Sequence, residues 1–172
     1  MGSCSDLKYS KQVEALAEQV GEEIAKVGAV LIFGAEKDLD SLSCAACRGS
    51  KRFGGLTIGI TYGATIDGIV EQQADAIVTA GMGRGGGREF VLVSSCDAII
   101  CISGGSGTLT EIAIAYQASI PIIVLAETGG WSERLSGTFL DDRKRVRVEP
   151  ASDAKTAVDL ALSQIKKKYD CH

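Results

Sequence analysis

The segment Ser103-Gly104-Gly105-Ser106-Gly107-Thr108-Leu109-Thr110-Glu111 follows directly after the apolar run Ala98-Ile99-Ile100-Cys101-Ile102. A continuous apolar run of this length is typical of a buried strand, and the glycine-rich turn after it opens into a helical pattern. Such a turn gathers backbone N–H groups and the positive end of a helix dipole at one point, which suits a phosphate or another anion. The sequence therefore predicts an anion site here.

Length and composition limit the classes of protein to consider. With 172 residues and a net charge of −4, the chain is expected to form one domain over 1–172 and to have no nucleic-acid partner, because nucleic-acid binding favours basic faces. No apolar run reaches the ~18 residues of a membrane span, and we expect neither a signal peptide nor a membrane partner. Cysteines in apolar segments predict a reducing, cytoplasmic location.

The histidine content narrows the possible chemistry. The sole histidine is His172 at the end of the chain. Mechanisms that need a buried histidine, including Ser-His-Asp catalysis, and His-rich metal sites are therefore excluded, and we expect no metal.

Predicted strands and helices alternate along the chain. Apolar spacing and glycine stops predict helices over 7–27, 40–53, 87–95, 108–118 and 151–169, and strands over 29–33, 56–61, 76–79, 98–102 and 121–125, with a long loop over 126–142 and an edge strand over 145–148. This order predicts an α/β fold with a Rossmann-like, doubly wound parallel sheet.

The first central strand of such a sheet is missing from the pattern. Gly2-Ser3-Cys4-Ser5 looks like the turn that follows it, but only Met1 stands where the strand should be. We hypothesise that the chain is cut short at its N-terminus or that another segment fills the gap.

Two charged residues near the turn each allow two interpretations. Thr108 followed by Glu111 matches a capping box, with Thr108 as the N-cap, or else Glu111 binds a ribose hydroxyl or transfers a proton. Arg88 is either the cation that offsets the repulsion between this carboxylate and a phosphate, or a solvated surface arginine.

Other motifs are weaker. Gly81-Met82-Gly83-Arg84-Gly85-Gly86 matches a dinucleotide fingerprint but lacks the acid at the end of the next strand, so we interpret it as a flexible second wall of the pocket.

Cys44 and Cys47 form a C-x-x-C on a predicted helix, which favours two packed thiols over a redox or zinc motif. Trp131 is either a lid or an oligomer contact.

The 103–111 motif, preceded by Gly81-Met82-Gly83 and Gly87-Arg88-Glu89, resembles the superfamily of Lonely-Guy-type phosphoribohydrolases and molybdenum cofactor carrier proteins, many once labelled "possible lysine decarboxylase". The similarity to the carrier branch is greater, because Ser-Gly-Gly replaces the Pro-Gly-Gly usual in the hydrolases. No lysine has the context that decarboxylase chemistry needs.

The resemblance implies a Rossmann-like fold, a homo-oligomer (dimer or tetramer) and a phosphate-bearing ligand at the glycine turns. It places the ligand against Gly2, Ser3, Gly34, Gly81, Gly83, Arg88, Ser103, Gly104, Gly105, Ser106, Gly107, Thr108 and Glu111. In the hydrolase branch an arginine and a glutamate act together, and here they would be Arg88 and Glu111. Two differences from the hydrolase branch weaken the assignment of these roles. The position after the arginine is basic in the hydrolases but is Glu89 here, and an early Gly-rich segment of the family is reduced to 33–38.

Three functions remain open. The first is a carrier-like binding protein for a phosphorylated nucleotide- or molybdopterin-like ligand, with backbone amides of Gly104 to Thr108 holding the anion. The second is a nucleoside 5'-monophosphate phosphoribohydrolase that uses Arg88 and Glu111. The third is an oligomeric scaffold whose pocket is vestigial.

Overall fold

The fold was analysed in a computed structural model that describes residues 1–3, 7–35, 40–64, 74–83 and 87–170. Its elements follow one another in the order α1 (Lys11–Lys26), β1 (Leu31–Gly34), α2 (Leu42–Arg52), β2 (Thr57–Thr61), β3 (Ala76–Thr79), α3 (Arg88–Ser94), β4 (Ile99–Ile102), α4 (Ser106–Gln117), β5 (Ile122–Leu125), α5 (Gly130–Leu135), β6 (Val148–Ala151) and α6 (Ala154–Asp170). The predicted alternation of strands and helices is confirmed.

In the part of the chain that the structure describes, the six strands pair in parallel and form two sheets of three. One sheet has the order β1-β2-β3 and the other β4-β5-β6, with registers such as Gly34↔Ile60 and Ile102↔Leu125. The α/β, Rossmann-like fold is confirmed, but the strands do not form one continuous ladder. The break between the two sheets lies between β1 and β4, where a doubly wound sheet has its first central strand.

The N-terminus lies on the free edge of β4. Gly2 forms a parallel bridge with Ile102, and the Ile102 amide donates to the Met1 carbonyl at 3.0 Å. The N-terminal residues therefore add one parallel bridge to the free edge of β4. They form no bridge with β1 among the described residues.

Three elements differ from the sequence predictions. The helix predicted over 108–118 begins at Ser106, and the loop predicted over 126–142 contains the short helix α5. The edge strand predicted over 145–148 lies instead at Val148–Ala151, where it pairs with β5, and Val148 also exchanges hydrogen bonds with Gly137 and Thr138. Pro150 is tolerated because β6 is the last strand of its sheet.

Helices α1 and α2 cross in direct backbone contact. A Cβ added to Gly21 would lie 1.8 Å from the Ala46 carbonyl oxygen, and one added to Gly49 would lie 1.9 Å from the Glu18 carbonyl oxygen. Only glycine permits this approach. None of the helices among the described residues is long and apolar enough to cross a lipid bilayer.

Candidate functional site

The turn between β4 and α4 lies at the carboxyl end of β4, where open parallel sheets bind ligands. The Ser103 amide donates to the Thr128 hydroxyl at 2.8 Å, and the Gly104 amide donates to the Ser3 hydroxyl, also at 2.8 Å. The Ser3 hydroxyl in turn donates to that of Ser103 at 3.1 Å. Two hydroxyls from distant segments thus satisfy the first two amides of the turn.

The carbonyls of the turn are held by α5. The Trp131 amide donates to the Gly104 carbonyl and the Ser132 amide to the Ser103 carbonyl, each at 3.0 Å. A Cβ on Gly130 would lie 2.5 Å from the Gly104 oxygen, so α5 touches the turn through its backbone. Gly104 has φ +103°, which favours glycine. The turn is therefore fixed in shape.

Its remaining amides open α4. Within the described residues, no hydrogen bond is found from the amides of Gly105, Ser106, Gly107 and Thr108. Ser106 and Gly107 are exposed, and no atom lies within 4 Å of a Cβ built on Gly107. Leu7 lies over Gly105, where an added Cβ would be 2.8 Å from its Cδ1. These four amides stand at the positive end of the dipole of a 12-residue helix, and we call them the cradle.

The capping-box interpretation of Thr108 and Glu111 is wrong. The N-cap is Gly105, which makes no side-chain cap, and Thr108 is already the third residue of the helix. The Thr108 side chain packs against Gly104 instead. Both Thr108 and Glu111 are buried, at 3% and 6% exposure. Glu111 therefore lies inside the molecule, one turn below the cradle.

Arg88 is not a solvated surface arginine. It is 7% exposed at the start of α3, and its guanidinium carbon lies 3.8 Å from the centre of the Tyr62 ring. A Cβ added to Gly34 would lie 2.8 Å from Arg88 Nη1, so only glycine at the end of β1 leaves room for this side chain. Glu89 Oε1 lies 3.8 Å from Arg88 Nη2 and accepts a 2.6 Å hydrogen bond from the Tyr62 hydroxyl.

The glycines after β3 lie beside the same tyrosine. The Gly81 amide donates to the Gly63 carbonyl at 3.1 Å and the Gly83 amide to the Tyr62 carbonyl at 3.3 Å. Both glycines have φ near +65° and are exposed. They form a wall at the carboxyl ends of β2 and β3, while 84–86 and 36–39 lie outside the described residues.

The structure adds residues that sequence reasoning missed. Thr128 and the Gly129–Gly130 pair hold the turn, and Tyr62 holds Arg88. Their only sequence signal is their place just after β5 and β2, since carboxyl ends of parallel strands share one edge of a sheet.

The C-x-x-C pair is a packed one. Cys44 and Cys47 are buried thiols in α2. Burial raises the pKa of Cys47 to about 11 and also raises that of Cys44. A raised pKa lowers the fraction of reactive thiolate, which suits packed thiols better than a redox pair.

Comparison with known proteins identifies relatives over most of the chain. The model of the SLOG cluster4 family matches residues 1–158. An uncharacterized protein of Archaeoglobus fulgidus is 36% identical over 116 residues, which make up 67% of this chain and 69% of that protein.

Two solved structures are similar in fold. The X-ray structure of TM1055, a structural genomics target, has a TM-score of 0.83 and 26% identity, covering 95% of this chain and 96% of that one. The molybdenum cofactor binding protein of the phototrophic bacterium Rippkaea orientalis has a TM-score of 0.79 and 28% identity, covering 96% and 94%. The predicted resemblance to molybdenum cofactor carrier proteins is confirmed.

Proposed function

Because the chain belongs to the SLOG cluster4 family, we propose that it binds a small phosphorylated molecule at the turn between β4 and α4 and acts as a carrier. The observation that carries the proposal is the cradle of amides from Gly105 to Thr108. They lie at the start of a 12-residue helix, Ser106 and Gly107 among them are exposed, and the turn before them is held in shape by hydrogen bonds. A rigid set of donors binds an anion without an ordering cost.

We propose a nucleotide- or molybdopterin-like compound as the ligand. A similar solved structure is that of a molybdenum cofactor binding protein. The wall formed by Gly81 and Gly83 offers exposed backbone at the carboxyl ends of β2 and β3, which suits the close approach of a flat ring system. Arg88 supplies positive charge from the start of α3, and Glu111 orients a sugar hydroxyl in this proposal.

The surroundings of Arg88 favour binding over hydrolysis. Its guanidinium stacks on Tyr62 and lies beside Glu89, which is itself held by the Tyr62 hydroxyl. A cation packed in this way has a fixed position and a nearby counter-charge. That arrangement suits a static electrostatic role better than the stabilisation of charge that develops during bond cleavage.

The test adds a charge to the cradle without changing its shape. Gly107→Asp places a carboxylate in the first turn of α4, where the helix dipole stabilises it by about 0.3–1 kcal/mol. Gly107→Asn is the matched neutral control. Calorimetric titration with AMP, a phosphorylated pterin and inorganic phosphate should show at least about tenfold weaker binding to the aspartate variant than to the asparagine variant. The thermal unfolding temperature of the aspartate variant should not fall below that of the control.

The same three probes also distinguish the carrier from a phosphoribohydrolase and from a scaffold. Release of adenine and ribose 5-phosphate from AMP would establish the phosphoribohydrolase and would overturn a pure carrier role. If none of the three probes binds the unmodified chain, the anion site is wrong and the scaffold interpretation replaces it.

We also propose that the protein self-associates as a dimer or tetramer. Phe90 on α3 is 61% exposed. Met82, whose sulfur would lie 3.3 Å from a Cβ on Gly87 at the start of α3, is 44% exposed. Exposed large apolar side chains on one surface often mark an interface. Sedimentation equilibrium should show an oligomer that Phe90→Ser weakens; a strict monomer at micromolar concentration would contradict this.

A further inference from the structure

The buried charges of the molecule gather in one place. Among the residues that the structure describes, three charged side chains are buried: Arg88, Glu89 and Glu111, at 7%, 7% and 6% exposure. Arg88 and Glu89 begin α3, and Glu111 lies in α4, which packs against α3. The formal charges of these three side chains sum to −1. The buried side chains beside the proposed anion site therefore carry more negative than positive charge.

Glu89 has a fixed place beside the cation. Its Oε1 accepts a 2.6 Å hydrogen bond from the Tyr62 hydroxyl and lies 3.8 Å from Arg88 Nη2. The ring of the same tyrosine covers the guanidinium, whose carbon lies 3.8 Å from the ring centre. Tyr62 therefore holds the carboxylate and the guanidinium together as a pair.

This pair brings a negative charge close to any anion that reaches the arginine. A ligand oxygen bonded to Arg88 Nη2 at about 3 Å lies within about 7 Å of Glu89 Oε1, because 3.8 Å separates the two side-chain atoms. Like charges at this distance repel strongly in a buried site, and the repulsion grows in proportion to the charge of the ligand. Glu89 therefore opposes a doubly charged phosphate about twice as strongly as a singly charged one.

We propose that Glu89 is a specificity-determining residue, which selects a phosphate with one negative charge, as in a phosphodiester, over a phosphate monoester with two. This inference rests on the proposed function, since it concerns a ligand held at the turn between β4 and α4. A phosphate monoester has a second pKa of about 6 and is doubly charged at higher pH, whereas a diester keeps a single charge. Arg88 balances the first charge, and Glu89 opposes the second.

A purely structural role of Glu89 makes a different prediction. If the carboxylate only anchors the Tyr62 hydroxyl, its replacement by an amide of the same shape changes the binding of both kinds of phosphate alike. The amide oxygen still accepts from the hydroxyl, and only the charge is lost. Glu89→Gln therefore separates charge selection from support of the tyrosine.

The experiment combines a change of ligand charge with a change of residue charge. AMP and its methyl phosphodiester differ by one negative charge and one methyl group. Both are titrated by calorimetry at about pH 8, where AMP is doubly charged, against the full unmodified chain, Glu89→Gln and a control. The control is Glu23→Gln, which removes the same charge in the last turn of α1, where Glu23 pairs with Lys26. Thermal unfolding shows whether each variant is folded.

We expect the unmodified chain to bind the diester more tightly than AMP. Glu89→Gln should shift the ratio of the two dissociation constants toward AMP by at least about fivefold, because it relieves the dianion of more repulsion than the monoanion. Glu23→Gln should leave the ratio unchanged.

The proposal and the anion site fail in different ways. An equal effect of Glu89→Gln on both ligands, or no effect, would overturn charge selection while leaving the anion site intact. Tighter binding of AMP than of the diester to the unmodified chain would also overturn it, and this comparison decides the matter even if Glu89→Gln does not fold. If neither ligand binds to the unmodified chain, the anion site is wrong and the selection by Glu89 falls with it.

Discussion

The hydroxyl of Ser3 lies 2.8 Å from the amide nitrogen of Gly104, although 101 residues separate the two along the chain. Ser3 is buried, at 3% exposure, and its hydroxyl also donates to Ser103. This contact decides which amides of the turn remain for a ligand, because it engages that of Gly104 and leaves those from Gly105 onward.

Ser3→Ala should destabilise the protein and weaken ligand binding. The variant leaves a buried amide without its acceptor, which costs about 1–3 kcal/mol in the free energy of unfolding. Urea denaturation measures this loss, and titration with AMP measures the effect on the cradle. Ser163→Ala, on the exposed face of α6, is the matched control and should change neither quantity. A stability loss equal to that of the control would show that water replaces the hydroxyl.

Gly130→Ala should be much more harmful than Gly54→Ala. Both glycines have positive φ, +62° and +71°, so alanine is strained at either site by about 1 kcal/mol. Only at Gly130 would the new Cβ also meet backbone, 2.5 Å from the Gly104 oxygen, whereas no atom lies within 4 Å at Gly54. We expect a total loss above about 2 kcal/mol for Gly130→Ala in urea denaturation. Equal losses would mean that α5 moves away from the turn without cost.

Asp75 should make the stability of the β2–β3 region depend on pH. A hydrogen bond from Lys51, with further bonds from the amide and hydroxyl of Thr57, lowers the pKa of Asp75 to about 2. Its unfolded value is near 3.9. The carboxylate therefore stabilises the fold above that pH, and the contribution is lost as the pH falls toward 2.

Comparison with Asp75→Asn isolates this effect. The difference in unfolding temperature between the protein and the variant should be largest at pH 5–7 and should shrink steadily between pH 4 and 2. Asp159→Asn, which breaks an exposed pair with Lys155, should show little difference at any pH. A pH-independent difference for Asp75→Asn would refute a role for its charge.

Cys47 and Cys101 should resist alkylation in the folded protein. Burial raises their pKa values to about 11 and about 12, so the thiolate fraction at pH 7.5 is very small. Iodoacetamide labelling, located by peptide mass mapping, should be at least about a hundredfold slower than in urea. Rapid native labelling of Cys47 together with Cys44 would instead indicate an accessible dithiol.

The order of the elements could be predicted from the sequence because buried parallel strands are apolar runs separated by helical periodicity. The start of α4 was displaced by two residues, since Thr108 is a better N-cap type than Gly105 and the true cap has no side chain. Helix α5 was missed because six residues after two glycines give no periodic pattern.

The site was predictable only in part for a similar reason. The glycines of the 103–108 turn carry a local signal, since strand, turn and helix are consecutive. Thr128 and Tyr62 reach the site through long-range contacts that leave no local pattern in the sequence, and Ser3 was placed there only by the family resemblance. Burial of Arg88 was equally hidden, because it depends on the missing side chain of Gly34 across the sheet.

The glycine crossing of α1 and α2 has a mechanical consequence. At Gly21 and Gly49 the two helices touch through their backbones, so no side chain can rearrange to absorb a displacement of one against the other. The first residue of α2, Leu42, donates its amide to the carbonyl of Ser3 at 3.0 Å. A bulky replacement at the crossing would therefore displace Ser3, whose hydroxyl accepts from the Gly104 amide, and so disturb the distant glycine turn.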